Sequence, residues 1–179
     1  MSKVILAISA HPDDIEFACG GTMFKFAEKG YDIYLVVATN GENGFKISYK
    51  PRTERVRIRH LEQLKAAKIL GVKNVFFLNY RDGYLTYNDQ LRSKLVKIIK
   101  KVRPEIIFTF DPGNKSFENV NLHHRDHRAI AEVAFDAVFA SRNRYMFKGD
   151  PHSVSSFYFF GPDKPNHFEN IVEVYKQKN

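Results

Sequence analysis

Apolar positions follow two rhythms along the chain. Val4-Ile5-Leu6-Ala7-Ile8 is an unbroken apolar run, as expected of a strand covered on both faces, and predicts a strand over 4–9. Residues 31–38 repeat the pattern, and shorter runs predict strands at 75–78, 105–110 and 154–160. Helical spacing fills the intervals. A helix over 20–28 is closed by Gly30, and one over 52–70 by Gly71. In the second, Val56, Arg59/His60, Gln63, Ala66/Ala67 and Leu70 mark one face. Asn88 or Asp89 caps a third helix in which Leu91, Leu95, Ile98, Ile99 and Val102 keep helical spacing, with Pro104 as its stop. Residues 129–140 read as a fourth.

Strand–helix alternation with continuous apolar strands predicts an α/β fold, an open and mostly parallel sheet with helices on both faces. No repeat, low-complexity segment or linker interrupts it, so 1–179 reads as a single catalytic domain. In such sheets function gathers beyond the carboxyl ends of the strands. The polar clusters lie there: His11-Pro12-Asp13-Asp14 after the first strand, Asn40 to Asn43 after the second, Arg81-Asp82 after the third, and residues 111–127 after the fourth. This coincidence points to a catalytic site.

Composition narrows the classes. With 44% apolar and 14% aromatic residues the chain is not a disordered one. One cysteine, Cys19, excludes an internal disulfide and fits a reducing compartment; it reads as a small buried hydrophobe. The first apolar run is too short for a signal peptide, and no stretch is long enough to span a membrane. The expectation is a cytoplasmic protein. A formal charge of +8 keeps a polyanionic partner in view.

Ala10-His11-Pro12-Asp13-Asp14-Ile15-Glu16 places one imidazole and three carboxylates just beyond a buried strand. Carboxylates this close repel unless a cation neutralises them or they point apart. Histidine with carboxylate suits zinc or another divalent first-row ion, whereas a capped turn needs one such residue and not three. A second cluster, His123-His124-Arg125-Asp126-His127, stands immediately before a predicted helix, and His124 and His127 are spaced to face one side. Together the two supply three protein ligands, the usual number for a catalytic zinc.

At these segments the sequence resembles the PIG-L/LmbE family of metal-dependent de-N-acetylases. The resemblance rests on Ala10 to Glu16, Gly20-Gly21 and His124-Arg125-Asp126-His127. Weaker matches are Thr39-Asn40-Gly41-Glu42, Arg59-His60-Leu61-Glu62, Ala66-Ala67, Leu70-Gly71-Val72 and residues 78–83, in order over roughly 3–160. It implies a Rossmann-like fold and a zinc-dependent N-deacetylase of N-acetylglucosamine-type sugars or conjugates. It further implies His11, Asp14 and His127 as metal ligands, Asp13 as general base, and His124 as the group that stabilises or protonates the tetrahedral intermediate. On this reading His124 acts as an imidazolium. Asp126 either keeps it charged or is a carboxylate favoured at a helix N-terminus. Glu16 supports a ligand from behind or is an acid of the first helical turn. Arg59, Asp82 and Glu42 are the candidates for substrate contact; a solvated helix arginine and a turn closed with Gly83 are the plainer accounts of the first two. Gly20-Gly21 lacks the rest of a phosphate-loop motif, so close backbone packing explains it better.

Eight basic residues between Lys46 and Lys68 stand against Glu54 and Glu62. Spacing puts Arg52, Arg55 and Arg59 on one helical face, which suggests an anionic N-acetylated substrate; the alternative is a solvated helix. A basic nucleic-acid-binding module and a metal-free carbohydrate-binding relative are the rival classes. No nucleic-acid motif is present, so no nucleic-acid partner is expected, and a homo-oligomer is compatible with the reading. Members of the family usually continue beyond Lys176-Gln177-Lys178-Asn179, which implies a truncated chain or a short variant with a more open site.

Overall fold

The structure is a computed structural model that describes residues 3–45, 49–114 and 124–175. Lys46 of the basic stretch, His123 of the second cluster, most of the loop after the fourth strand and the last four residues lie outside the described residues. Five strands form one all-parallel sheet in the order β3-β2-β1-β4-β5. They are β1 (Val4–Ser9), β2 (Asp32–Thr39), β3 (Asn74–Tyr80), β4 (Ile106–Phe110) and β5 (Ser156–Phe160). β1 is central: Leu6 lies opposite Tyr34 of β2 on one side and Ile107 of β4 on the other. Ile5, Leu6, Ala7 and Ile8 have no exposed surface, which is why this strand reads as a solid apolar run.

Four helices connect the strands: α1 (Asp14–Glu28), α2 (Arg52–Ile69), α3 (Asp89–Val102) and α4 (Arg125–Ser141). The chain steps outward from β1 to β2 and β3, then returns past β1 to β4. Right-handed crossovers place α1 and α2 on one face and α3 and α4, which pack on each other, on the opposite one. The strand order reverses between β1 and β4. A crevice opens at that point beyond the strand ends.

α3 shows how sequence sets an element. The Asn88 side chain accepts from Leu91 N–H at 2.8 Å, and Leu91, Leu95 and Ile99 are wholly buried. Burying each such side chain is worth about 1.5–3 kcal/mol. Lys100 of α3 is buried too. Its ammonium donates to the carbonyls of Asn143 (3.3 Å), Met146 (3.1 Å), Phe147 (2.9 Å) and Gly149 (3.1 Å), in the link from α4 to β5.

Two helices start earlier than periodicity predicts. α1 begins at Asp14 and carries a kink at Cys19 (φ −148°), so its first turn is out of phase with the rest. α4 begins at Arg125, which puts His127 inside the helix and makes His124 its cap. Gly21 allows the close packing expected of the glycine pair: a Cβ there would lie 2.8 Å from Ile171 Cδ1. No helix among the described residues is long and apolar enough to cross a membrane.

Candidate functional site

The crevice between β1 and β4 collects both polar clusters. Beyond β1 the chain turns at Pro12, and the Asp14 carboxylate folds back on the turn. Its Oδ2 accepts from the backbone N–H groups of His11 (2.8 Å) and Ala10 (3.1 Å). Gly41 makes room for this turn. It holds φ +63°, and a Cβ there would stand 2.8 Å from Pro12 Cδ.

α4 brings His127 across from the far side, its ring stacked on Phe110 at 4.0 Å. His127 Nε2 lies 3.1 Å from Asp14 Oδ1 and 3.1 Å from His11 Nδ1, and His11 Nδ1 is 3.6 Å from Asp14 Oδ2. Ligands held roughly 2.0–2.1 Å from a tetrahedral zinc are themselves about 3.3–3.4 Å apart. Two imidazole nitrogens and a carboxylate at that spacing can hold such an ion. The ring nitrogens of His11, His124 and His127 also fall within 4.8 Å of one another.

The second nitrogen of His11 has its own acceptors. Nε2 lies 3.2 Å from Asp126 Oδ2 and 3.2 Å from Asp82 Oδ1. Burial alone would lower the His11 pKa, but the bonds to Asp126, Asp14 and Asp82 outweigh it and raise the pKa to about 11. Burial likewise acts to raise the pKa of Asp14, and His11 and His127 overcome it, holding the group well below the carboxylate range. Without a metal, a proton on His11 places positive charge among Asp14, Asp82 and Asp126.

Asp13 sits in the left-handed region (φ 88°) at the N-cap of α1. Its backbone N–H donates to Gln63 Oε1 at 3.0 Å, and its carboxylate receives Arg59 Nη2 at 2.6 Å. Burial raises the Asp13 pKa, against the opposing pull of Arg59. Glu16 accepts from Gln63 Nε2 at 2.6 Å. Glu16 therefore reaches Asp13 through Gln63 rather than backing a histidine or Asp14, a correction to the expected ligand support. Gln63 was read only as part of a helix face. A polar residue on the buried stripe of α2 is the signal that marks it.

The second cluster also differs from expectation. His124 Nδ1 accepts from the N–H of Asp126 at 3.2 Å, so the proton of the ring is on Nε2. Burial, then the charges of His11 and His127, lower the His124 pKa, which works against the expected imidazolium. The Asp126 carboxylate lies in the first turn of α4, and its charge acts to raise the His124 pKa, but the bonds it makes are to other groups. Wholly buried, it accepts from Gly83 N–H (2.7 Å) and Leu85 N–H (3.0 Å) and faces His11.

The three candidates for substrate contact are each engaged by the protein. Asp82 is buried between His11 and the Asn43 N–H (3.0 Å). Glu42 is 3% exposed and paired with Arg52 and Arg81. Arg59 holds Asp13, Glu62 and the Pro12 carbonyl. Arg52 and Arg59 are thus paired with acids rather than free cations of one helical face. What the rim does present is the half-exposed Tyr84 ring, with the Arg81 guanidinium 4.1 Å from its centroid.

The pattern of the PIG-L family, described as GlcNAc-PI de-N-acetylase, matches residues 6–138. The chain belongs to the PIG-L family. Every residue of the crevice from His11 to His127 lies inside the matched span. A diacetylchitobiose deacetylase of Thermococcus kodakarensis is 33% identical over 98% of this chain and 66% of its own length. An uncharacterized deacetylase of Escherichia coli K12, YaiS, is 37% identical over 97% of this chain and 84% of its own. The solved structure of N,N'-diacetylchitobiose deacetylase from Pyrococcus horikoshii, bound to an inhibitor, superposes with a TM-score of 0.91 at 30% identity. It covers 99% of this chain and 67% of that one. This PIG-L chain therefore spans about two thirds of the length of the two archaeal proteins.

Proposed function

We propose that the chain is a zinc-dependent N-deacetylase that hydrolyses the acetamide of an N-acetylglucosamine-type sugar or conjugate. The observation that carries the proposal is the triangle of His11 Nδ1, His127 Nε2 and the Asp14 carboxylate, with sides of 3.1–3.6 Å. These three residues would hold the metal, and another first-row divalent ion suits the same donors. Membership of the PIG-L family and the names of the archaeal relatives support the substrate class.

A metal held there supplies water activation near neutral pH and polarises the acetamide carbonyl. Asp13 stands next to Asp14 with its carboxylate half exposed and paired with Arg59. As water adds to the carbonyl carbon, Asp13 takes the water's proton; it returns that proton to nitrogen as the C–N bond breaks, leaving acetate and a free amine. The burial that raises the Asp13 pKa makes it a stronger base for the first transfer. His124 carries its proton on Nε2 and donates it as a hydrogen bond to the developing oxyanion, a role a neutral ring can fill. Asp126 and Asp82 fix the orientation of His11 through Nε2.

The test pairs metal analysis with amine release from N-acetylglucosamine, diacetylchitobiose and phosphate-bearing N-acetylglucosaminides. Wild type should hold about one ion per chain, and His127→Ala should lose it together with activity. Asp13→Asn should keep the ion while turnover falls by roughly 10²–10⁴. Loss of metal in Asp13→Asn would make Asp13 a ligand and refute the roles assigned here.

A further inference from the structure

Asp13 combines two demands that oppose each other. Its carboxylate must face the crevice, and its backbone must hold a left-handed conformation (φ 88°) that an aspartate adopts at a cost. Its N–H lies at the N-terminus of α1, where the helix offers no acceptor. Among the described residues its acceptor is the side chain of Gln63, 50 positions later in the sequence, at 3.0 Å. The Gln63 amide is oriented without ambiguity. An N–H must meet Oε1, so the Nε2 end is the one that faces Glu16 Oε1, at 2.6 Å. Glu16 in turn grows from the first turn of α1, and its second oxygen, Oε2, is buried with no hydrogen-bond partner among the described residues. Gln63 is 3% exposed, so no solvent competes for either bond.

We infer that Gln63 is a positioning residue that fixes the backbone of Asp13, with Glu16 fixing Gln63. The inference rests on the reading of Asp13 as the general base. Asp14 is held separately, by the N–H groups of Ala10 and His11. Releasing Asp13 should therefore disturb the base without disturbing the proposed ligands. Arg59 holds the Asp13 carboxylate and, at 2.8 Å, the Pro12 carbonyl at the other end of the same peptide unit, so Arg59 and Gln63 clamp that unit from its two polar ends and only Gln63 meets its N–H.

The chain of donors and acceptors has a direction, and that gives a specific test. Gln63→Leu removes both bonds. Gln63→Glu keeps the acceptor for Asp13 but sets two carboxylates against each other. Combining Gln63→Glu with Glu16→Gln keeps the bond from Asp13 and restores the one between positions 63 and 16, with its donor and acceptor exchanged. Both Gln63→Leu and Gln63→Glu should lower kcat by about 10–100-fold, with KM within about two-fold of wild type and metal content unchanged. The double variant should recover most of the lost kcat, while Glu16→Gln alone should not match it. A double variant no faster than Gln63→Glu, a Gln63→Leu protein with wild-type kcat, or loss of metal with kcat would each overturn the inference. Hydrogen exchange of the Asp13 amide gives a readout independent of turnover. It should quicken at least about tenfold in Gln63→Leu while the His11 amide keeps its protection. If the wild-type protein released no amine from any sugar, the deacetylase reading would fail, and this exchange measurement would still decide whether Gln63 holds Asp13.

Discussion

His11 stands between two sets of acceptors, and the proton it carries on Nδ1 occupies the position a metal would need. With its pKa raised to about 11, the ring is doubly protonated in the metal-free protein at neutral pH. Zinc uptake at pH 7–8 should then release about one proton from this ring. Calorimetric titration in buffers of different ionisation enthalpy measures it directly; an apparent enthalpy independent of buffer would contradict the assignment of His11 as a ligand through Nδ1. The same shift has a sign for stability. Because the folded pKa lies above the ordinary 6.5, the contribution of His11 is fully present below about pH 6.5 and is lost as pH rises to about 11. Asp14 carries the opposite dependence, since its depressed pKa favours the fold at neutral pH and loses that effect in acid.

At the scale of elements, the site depends on one loop approaching another. The turn at Pro12 and the turn at Gly41 meet at a distance only glycine allows. Gly41→Ala should destabilise the protein by roughly 2 kcal/mol, a fall in Tm of about 4–8 °C, from the left-handed backbone and the contact with Pro12. Thermal unfolding checks it, and an unchanged Tm would show that the turn can yield. Elements with an apolar rhythm were legible in the sequence: β1, α2 and the capped α3 lie within a residue or two of their expected bounds. The first turns of α1 and α4 were not, because the kink at Cys19 breaks the phase of one and polar residues fill the other. The same limit governs the site. His11, Asp14 and His127 stand out because their residue types are costly to cluster. The partners of Asp82, Asp126 and Gln63 depend on which segments the fold brings together, and no local spacing encodes that. Asp82 and Asp126 are 44 positions apart in sequence, yet both face His11 Nε2 at 3.2 Å.

For the whole molecule, the meeting of His11 and His127 joins positions 116 apart, across the point where the strand order reverses. A metal shared by them would tie the first strand to α4 and stabilise every element between. At a free zinc concentration of about 100 times Kd the gain is about 2.7 kcal/mol, or roughly 5–10 °C in Tm. Scanning calorimetry with added zinc should show that rise in wild type and none in His127→Ala; an equal rise in both would place the stabilising ion elsewhere. Lys100 provides a comparison within the same fold. Four carbonyl oxygens of the link from α4 to β5 converge on one ammonium, an oxygen cage such as a potassium ion occupies. The cation here is covalently tethered to α3, so its local concentration does not follow the salt outside. The link between α4 and β5 is therefore insulated from the ionic composition of its surroundings, whereas the ion proposed for the crevice would have to come from solution.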